Sequence, residues 1–228
     1  MKNNGFTLAE VLITLVIIGV IAALTIPALI NKTNEQDTVT SVKKAYTILS
    51  QAYQKTIAEE GETYVWLSDE TDQIATETLG KLLVKHFNIL ENCGRTTTGH
   101  CFPDVIYKKF NDDDHVNFNQ SGYYKLRLND GMSLAICGWK DVHNTFGETL
   151  PLRNIIGYYN IDINGDKGPN IWGKDMFLFY ITKYGVIPSG TPSDIMHPLS
   201  GCKTQGTGCT AWITTKNNMD YLRKNVSW

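Results

Sequence analysis

The pattern of apolar and polar positions along the chain changes near residue 30. From residue 11 to residue 30 no side chain is charged, and the run is dominated by Val, Leu, Ile and Ala. About twenty residues at roughly 1.5 Å rise each match a hydrocarbon core of about 30 Å, so this segment predicts a membrane-spanning helix. Beyond it, Val39, Val42, Tyr46, Leu49, Tyr53 and Ile57 recur at spacings of three and four. That periodicity puts them on one helical face, which must pack against something. The helix is therefore expected to continue as an amphipathic rod to about Glu60, with Gly61 as its stop. A coiled-coil partner would give the same stripe, but the heptads are too few to favour one.

The remainder mixes both periodicities. Ile74, Leu79, Leu82, Leu83, Phe87 and Leu90 predict a second helix. Residues 123–128 and 132–137 flank Asn129, Asp130 and Gly131, a hairpin signal. Residues 158–163 and 176–182 are rich in aromatic and β-branched side chains and read as further strands. The expected fold is α+β: a long bent N-terminal helix, transmembrane in its first half, packed in its second half on a small antiparallel sheet.

Composition narrows the function classes. With 228 residues there is room for one anchor and one sizeable domain. The net charge of −2 and the 42 % hydrophobic content indicate neither disorder nor a strongly basic surface, so nucleic acid is not the default partner. A secretory signal has an apolar region of only about 7–15 residues and ends in a cleavage site; here the apolar run is longer and leads into an amphipathic helix. Lys2 precedes the span, which places the amino terminus in the cytoplasm and the bulk of the chain outside. Five cysteines follow the span, in an oxidising space where disulfides persist. Cys93 with Cys101, and Cys202 with Cys209, would each close a short loop. Cys137 is left over and is expected to be buried in a strand. Zinc spacing, with paired C-x₂₋₄-C ligands or a histidine cluster, does not occur.

The amino terminus reads Met1, Lys2, Asn3, Asn4, Gly5, Phe6, Thr7, Leu8, Ala9, Glu10, and then the apolar run. This joins a short basic leader, Gly-Phe-Thr-Leu, a lone glutamate and a charge-free span. It resembles the class III signal of type IV pilins and type II secretion pseudopilins. The resemblance implies a pilin-like fold, cleavage by a prepilin peptidase between Gly5 and Phe6, and methylation of the new amino terminus on Phe6. The chain then divides into a leader (1–5), a transmembrane or filament-core helix (6–30), the amphipathic half of that helix (31–61) and a globular α+β head (62–228). Glu10 is the informative residue, since an ionisable group in an apolar span costs several kcal/mol unless it is paired or lies at the interface. In the family a glutamate here meets the amino terminus of a neighbouring subunit and sets axial register; the alternative is a glutamate at the headgroup boundary. Gly19 and Pro27 weaken a helix and predict a kink or melted stretch. Pilins carry breakers at corresponding places, though both residues are also common in transmembrane helices. Residues 162–179 and 184–188 further resemble a loop-and-strand module of the type II secretion group.

Asp162, Asn164, Asp166 and Asp175 cluster oxygen ligands, and some pseudopilins bind calcium in their carboxyl-terminal loops. Against an EF-hand, Lys167 stands where its glycine belongs and Gly173 where its bidentate glutamate belongs. Such residues also build tight turns with no ion, and Asp112, Asp113, Asp114 and His115 read as a solvated loop. Catalytic signatures are lacking: there is no nucleophile elbow, zinc-protease helix, phosphate loop or C-x-x-C pair. Trp172, Trp212, Tyr221 and Trp228 are core or interface candidates, with core favoured.

The reading is a structural subunit and not an enzyme, held first in the cytoplasmic (inner) membrane by a single pass with its head outside, then built into a periplasmic or extracellular filament. By resemblance its partners are the prepilin peptidase, other pilin-like subunits, an assembly ATPase and a platform membrane protein. No cofactor is required; calcium is the one candidate. Two alternatives compete. One is an exported membrane-anchored enzyme or binding protein; the other is a DNA-uptake pilin, which would want a basic stripe this acidic chain lacks.

Overall fold

A computed structural model describes residues 7–61, 72–97, 99–119, 122–143, 152 and 154–228, without the side chains of 140–143. Statements below concern those residues. Helix α1 runs over Leu8–Glu60 and includes both Gly19 and Pro27. The chain forms two compact units, one ending at Asp37 and one covering Thr38–Trp228. In the first, the large apolar side chains from Leu8 to Ile30 are exposed, and the helix is long and apolar enough to cross a membrane. Gly61, at φ 82°, ends the helix with its N–H on the Ile57 carbonyl, the left-handed cap expected of glycine.

The second unit is built on a six-stranded sheet. Its strands are β1 (Ile89–Gly94), β4 (Tyr124–Leu128), β5 (Ser133–His143), β6 (Ile155–Asp162), β7 (Met176–Thr182) and β8 (Gly185–Pro188), all neighbours antiparallel in the order β1-β4-β5-β6-β7-β8. A small second sheet pairs β2 (Tyr107–Lys108) with β3 (Asp114–Val116). Helix α2 covers Asp72–Val84, and α3 (Cys202–Gln205) and α4 (Thr210–Lys216) lie near the carboxyl end. The β4–β5 turn falls on Asn129, Asp130 and Gly131, where Gly131 at φ 90° donates to the Leu128 carbonyl. The architecture is thus α+β, with a long N-terminal apolar helix whose later turns pack on an antiparallel sheet.

The sheet is covered on both faces, because its strands alternate between two apolar sets. Phe177, Phe179 and Ile181 of β7 join Val42, Leu49 and Tyr53 of α1 and Leu79 and Leu83 of α2 in one core. Met176, Leu178 and Tyr180 of the same strand join Phe102, Tyr107, Phe118 and Trp172 in a second core under the loops. This second core is why every residue of β7 is buried, where a sheet with one wet face would alternate apolar and polar. Helix α2 sits closely on the sheet where Gly138 and Gly157 pair across β5 and β6. A Cβ on Gly138 would lie 2.6 Å from the Ala75 carbonyl oxygen, so the helix can approach only a glycine.

Two sequence expectations are corrected. The helical run assigned to Ile74 through Leu90 stops at Val84, and Leu90 lies in strand β1, 71 % exposed. The apolar spacing persisted past the true end because Phe87 enters the first core from the turn, edge-on to Tyr159 at 6.4 Å, while Ile89 pairs with Leu128. Cys137, expected to be buried, lies in β5 but is only half-buried.

Candidate functional site

The start of α1 is built by residues Thr7 and Glu10. The Glu10 carboxylate accepts the Thr7 backbone N–H at 2.8 Å and the Thr7 hydroxyl at 2.8 Å, and that hydroxyl accepts the Glu10 N–H at 3.3 Å. This is a capping box, in which two of the otherwise orphaned N–H groups of the first turn are satisfied reciprocally. Thr7, which carries half of it, was not among the sequence-derived site residues, although the Thr-x-x-Glu spacing is a legible signal. Glu10 is the only charged side chain from Leu8 to Ile30, so the chain provides a hydrogen-bonding partner for the one carboxylate an apolar environment would penalise. Gly5 and Phe6, the expected processing pair, lie outside the described residues. A Cβ on Gly19 would meet nothing within 4 Å, so no contact made within the chain demands glycine there.

In the head, Cys93 is bonded to Cys101 with their Cα atoms 6.1 Å apart, and Cys202 to Cys209 at 5.0 Å. The first bridge lies in the second core and the other in the first core. Cys137 is free. Burial pushes its thiol up, which keeps it protonated and unreactive at neutral pH.

The four oxygen-bearing residues considered for calcium have separate engagements. Asp162 accepts the N–H groups of Asn164 and Gly165 at 3.0 and 2.9 Å and the Tyr107 hydroxyl on its other oxygen. Asp175 accepts the N–H groups of Asn170 and Ile171 at 2.6 and 2.7 Å. Asn164 donates to the Gly168 carbonyl at 3.3 Å. Asp166 is ion-paired with Arg127, whose guanidinium also reaches the Gly131 and His100 carbonyls. A buried guanidinium thus already supplies positive charge to this loop, and the carboxylates of Asp162 and Asp175 each close a turn in the way short acidic side chains do. Burial, reinforced by the neighbouring Asp175, pushes Asp162 up to about 7, against the opposing hydrogen bonds from Tyr107, Asn164 and Gly165. Asp175 is raised for the same leading reason.

Asp112, Asp113, Asp114 and His115 are all exposed, with Asp112 paired to Lys108 at 3.0 Å. Trp172, Trp212 and Tyr221 are buried, whereas Trp228 is 43 % exposed and lies 5.7 Å from Trp212 between ring centres.

Comparison with known families agrees with the chemistry of the first turn. Residues 1–26 match the family model of the prokaryotic N-terminal methylation motif, the prepilin-type signal of type IV pilins and pseudopilins. No curated protein and no solved structure matches the chain. The chain thus carries a prepilin-type methylation motif at its start, leading into an apolar helix long enough to cross a membrane.

Proposed function

We propose that the chain is a structural subunit of a type IV pilus-like or type II secretion pseudopilus filament, cut after Gly5 and methylated on Phe6. The observation carrying this reading is the methylation motif over residues 1–26, with Glu10 as the sole charge of the apolar stretch. In the lone subunit Glu10 is held by Thr7; in the filament it would exchange that partner for the amino terminus of Phe6 on a neighbouring subunit. Opposite charges attract strongly where water is excluded, and each would be costly there alone. The exposed side chains from Leu8 to Ile30 would exchange lipid for neighbouring helices, a transfer between two apolar surroundings. Export ends with the head outside the cytoplasmic membrane, then in the periplasm or beyond; an assembly ATPase and a platform membrane protein would drive extraction. Nothing in this reading asks the head to catalyse a reaction.

Mass spectrometry of the mature amino terminus tests it. N-methylphenylalanine at Phe6 is expected, and replacement of Gly5 by leucine should leave an uncut chain that does not assemble. A native terminus at Met1 on assembled, functional protein would refute the reading.

A further inference from the structure

Outside the helix start, the head holds a pocket of about 190 Å³ between the loop-side face of the sheet and the loops that cover it. Its floor is Asn160 of β6, Leu178 and Tyr180 of β7, and Trp172, all buried. Exposed His115 and Met196, the latter 37 % exposed, mark its mouth. The volume is that of about six waters at roughly 30 Å³ each, room for one small ring and not for a peptide.

The walls are held in place by bonds among themselves. Tyr180 donates to Asp194 and stacks on His197, whose Nδ1 lies 2.9 Å from the Thr207 hydroxyl. The Tyr123 and Tyr158 hydroxyls are 3.2 Å apart, and His115 stands edge-on to Trp172 at 5.5 Å. Partial withdrawal from water, with the charge of Lys109 nearby, lowers His115 from the ordinary imidazole value, and burial lowers His197 against the pull of Asp194, so the neutral form of each predominates at pH 7. The lining therefore offers aromatic rings together with uncharged groups that both donate and accept: phenol, imidazole and hydroxyl.

Such a lining selects its ligand by chemistry. An anion would find no cationic side chain in it. An ammonium-type cation would find aromatic rings, but also two neutral imidazoles and no free carboxylate, since Asp194 already accepts from Tyr180 and from the Gly190, Met196 and His197 N–H groups. A wholly apolar ring would complement only the aromatic part of this lining. We propose that this pocket binds a single neutral polyhydroxylated ring, a pyranose, whose C–H face packs on the aromatic rings while its hydroxyls bond to the imidazole and hydroxyl groups of the wall. The positive edge of a C–H bond complements the negative face of an aromatic ring, and sugar hydroxyls donate and accept just as the wall does. The site would give the head a ligand of its own, separate from filament assembly.

The test is calorimetric titration of the detergent-solubilised full chain with glucose, galactose, mannose and N-acetylglucosamine, and with choline as a cation probe. Saturable one-site binding of at least one sugar is expected within about 50 mM, weakened at least about tenfold by Met196→Trp, which plugs the mouth, and weakened measurably by His115→Ala. Both residues are exposed, so an unchanged melting temperature shows that the variants keep their fold. If no sugar saturates, if choline binds in place of sugars, or if both folded variants bind as well as the parent, the proposal is wrong.

Discussion

Thr7 and Glu10 hold each other across the first turn of α1, so the one acid of the apolar segment is hydrogen-bonded before any second subunit is present. The two residues then have separable roles. Thr7→Val removes the hydroxyl and should loosen the first turn by about 1 kcal/mol, read as faster hydrogen exchange at the amides of Leu8 to Glu10, with filament formation retained. Glu10→Gln keeps an acceptor for the Thr7 N–H and removes only the charge. It should retain membrane insertion and leader cleavage and lose assembly; normal filaments from Glu10→Gln would show that the charge sets no register.

Tyr53 ties α1 to the far edge of the sheet. Its hydroxyl donates to the Thr182 carbonyl at 2.8 Å and lies 3.0 Å from that of Lys183, at the turn between β7 and β8. Tyr53→Phe keeps the ring in the core but takes the donor from the buried Thr182 carbonyl, a cost of about 1–3 kcal/mol. Thermal unfolding of the solubilised chain should show the loss as a lowered midpoint, and an unaltered midpoint would mean that water replaces the phenol.

Much of this fold was legible because its signals are local. The stripe from Val39 to Ile57 matches the buried face of α1, Gly61 ends it, and residues 176–182 form the expected strand. Strand β1 was missed since Leu90 continued the helical spacing by coincidence, and pairing of Ile89 with Leu128 depends on partners distant in sequence. The second core was missed for a similar reason. Phe102, Tyr107, Phe118 and Trp172 lie in stretches with no periodicity, and only the sheet brings them together. At the helix start, Glu10 stood out as a lone charge, whereas Thr7 needed its spacing to the glutamate to be weighed. The oxygen cluster from Asp162 to Asp175 was readable as a list of ligands; Arg127 and Tyr107, which engage two of those carboxylates, come from other parts of the sheet and loops.

The two bridges should stabilise the head independently. Replacing Cys93 and Cys101 together by serine should cost about 2–3 kcal/mol, and the same exchange at Cys202 and Cys209 a similar amount, because each bridge restrains a short loop of the unfolded chain. The direct check is thiol labelling of the denatured, unreduced protein, where Cys137 alone should react. Labelling at any other cysteine would overturn the pairing.

Asp162 should make the head less stable as the medium becomes neutral. Burial pushes its carboxyl up to about 7 in the folded protein from an ordinary value of 3.8, so between those values the folded state holds the extra proton. Stability from that proton is complete below about pH 4 and declines as pH rises through about 7, by about 2–4 kcal/mol in all if no other group compensates. Asp162→Asn should flatten this slope in a series of melting curves from pH 4 to pH 8, while Asp166→Asn, at an exposed acid, should leave it. Repeating the series with calcium and with chelator bears on the cation candidate at Asp162, Asn164, Asp166 and Asp175. With those carboxylates engaged by backbone N–H groups and Arg127, the two sets of curves should coincide. A calcium-dependent rise in midpoint that abolishes the neutral-pH loss would instead mean that the loop rearranges around an ion, since a cation stabilises both carboxylates in their charged form.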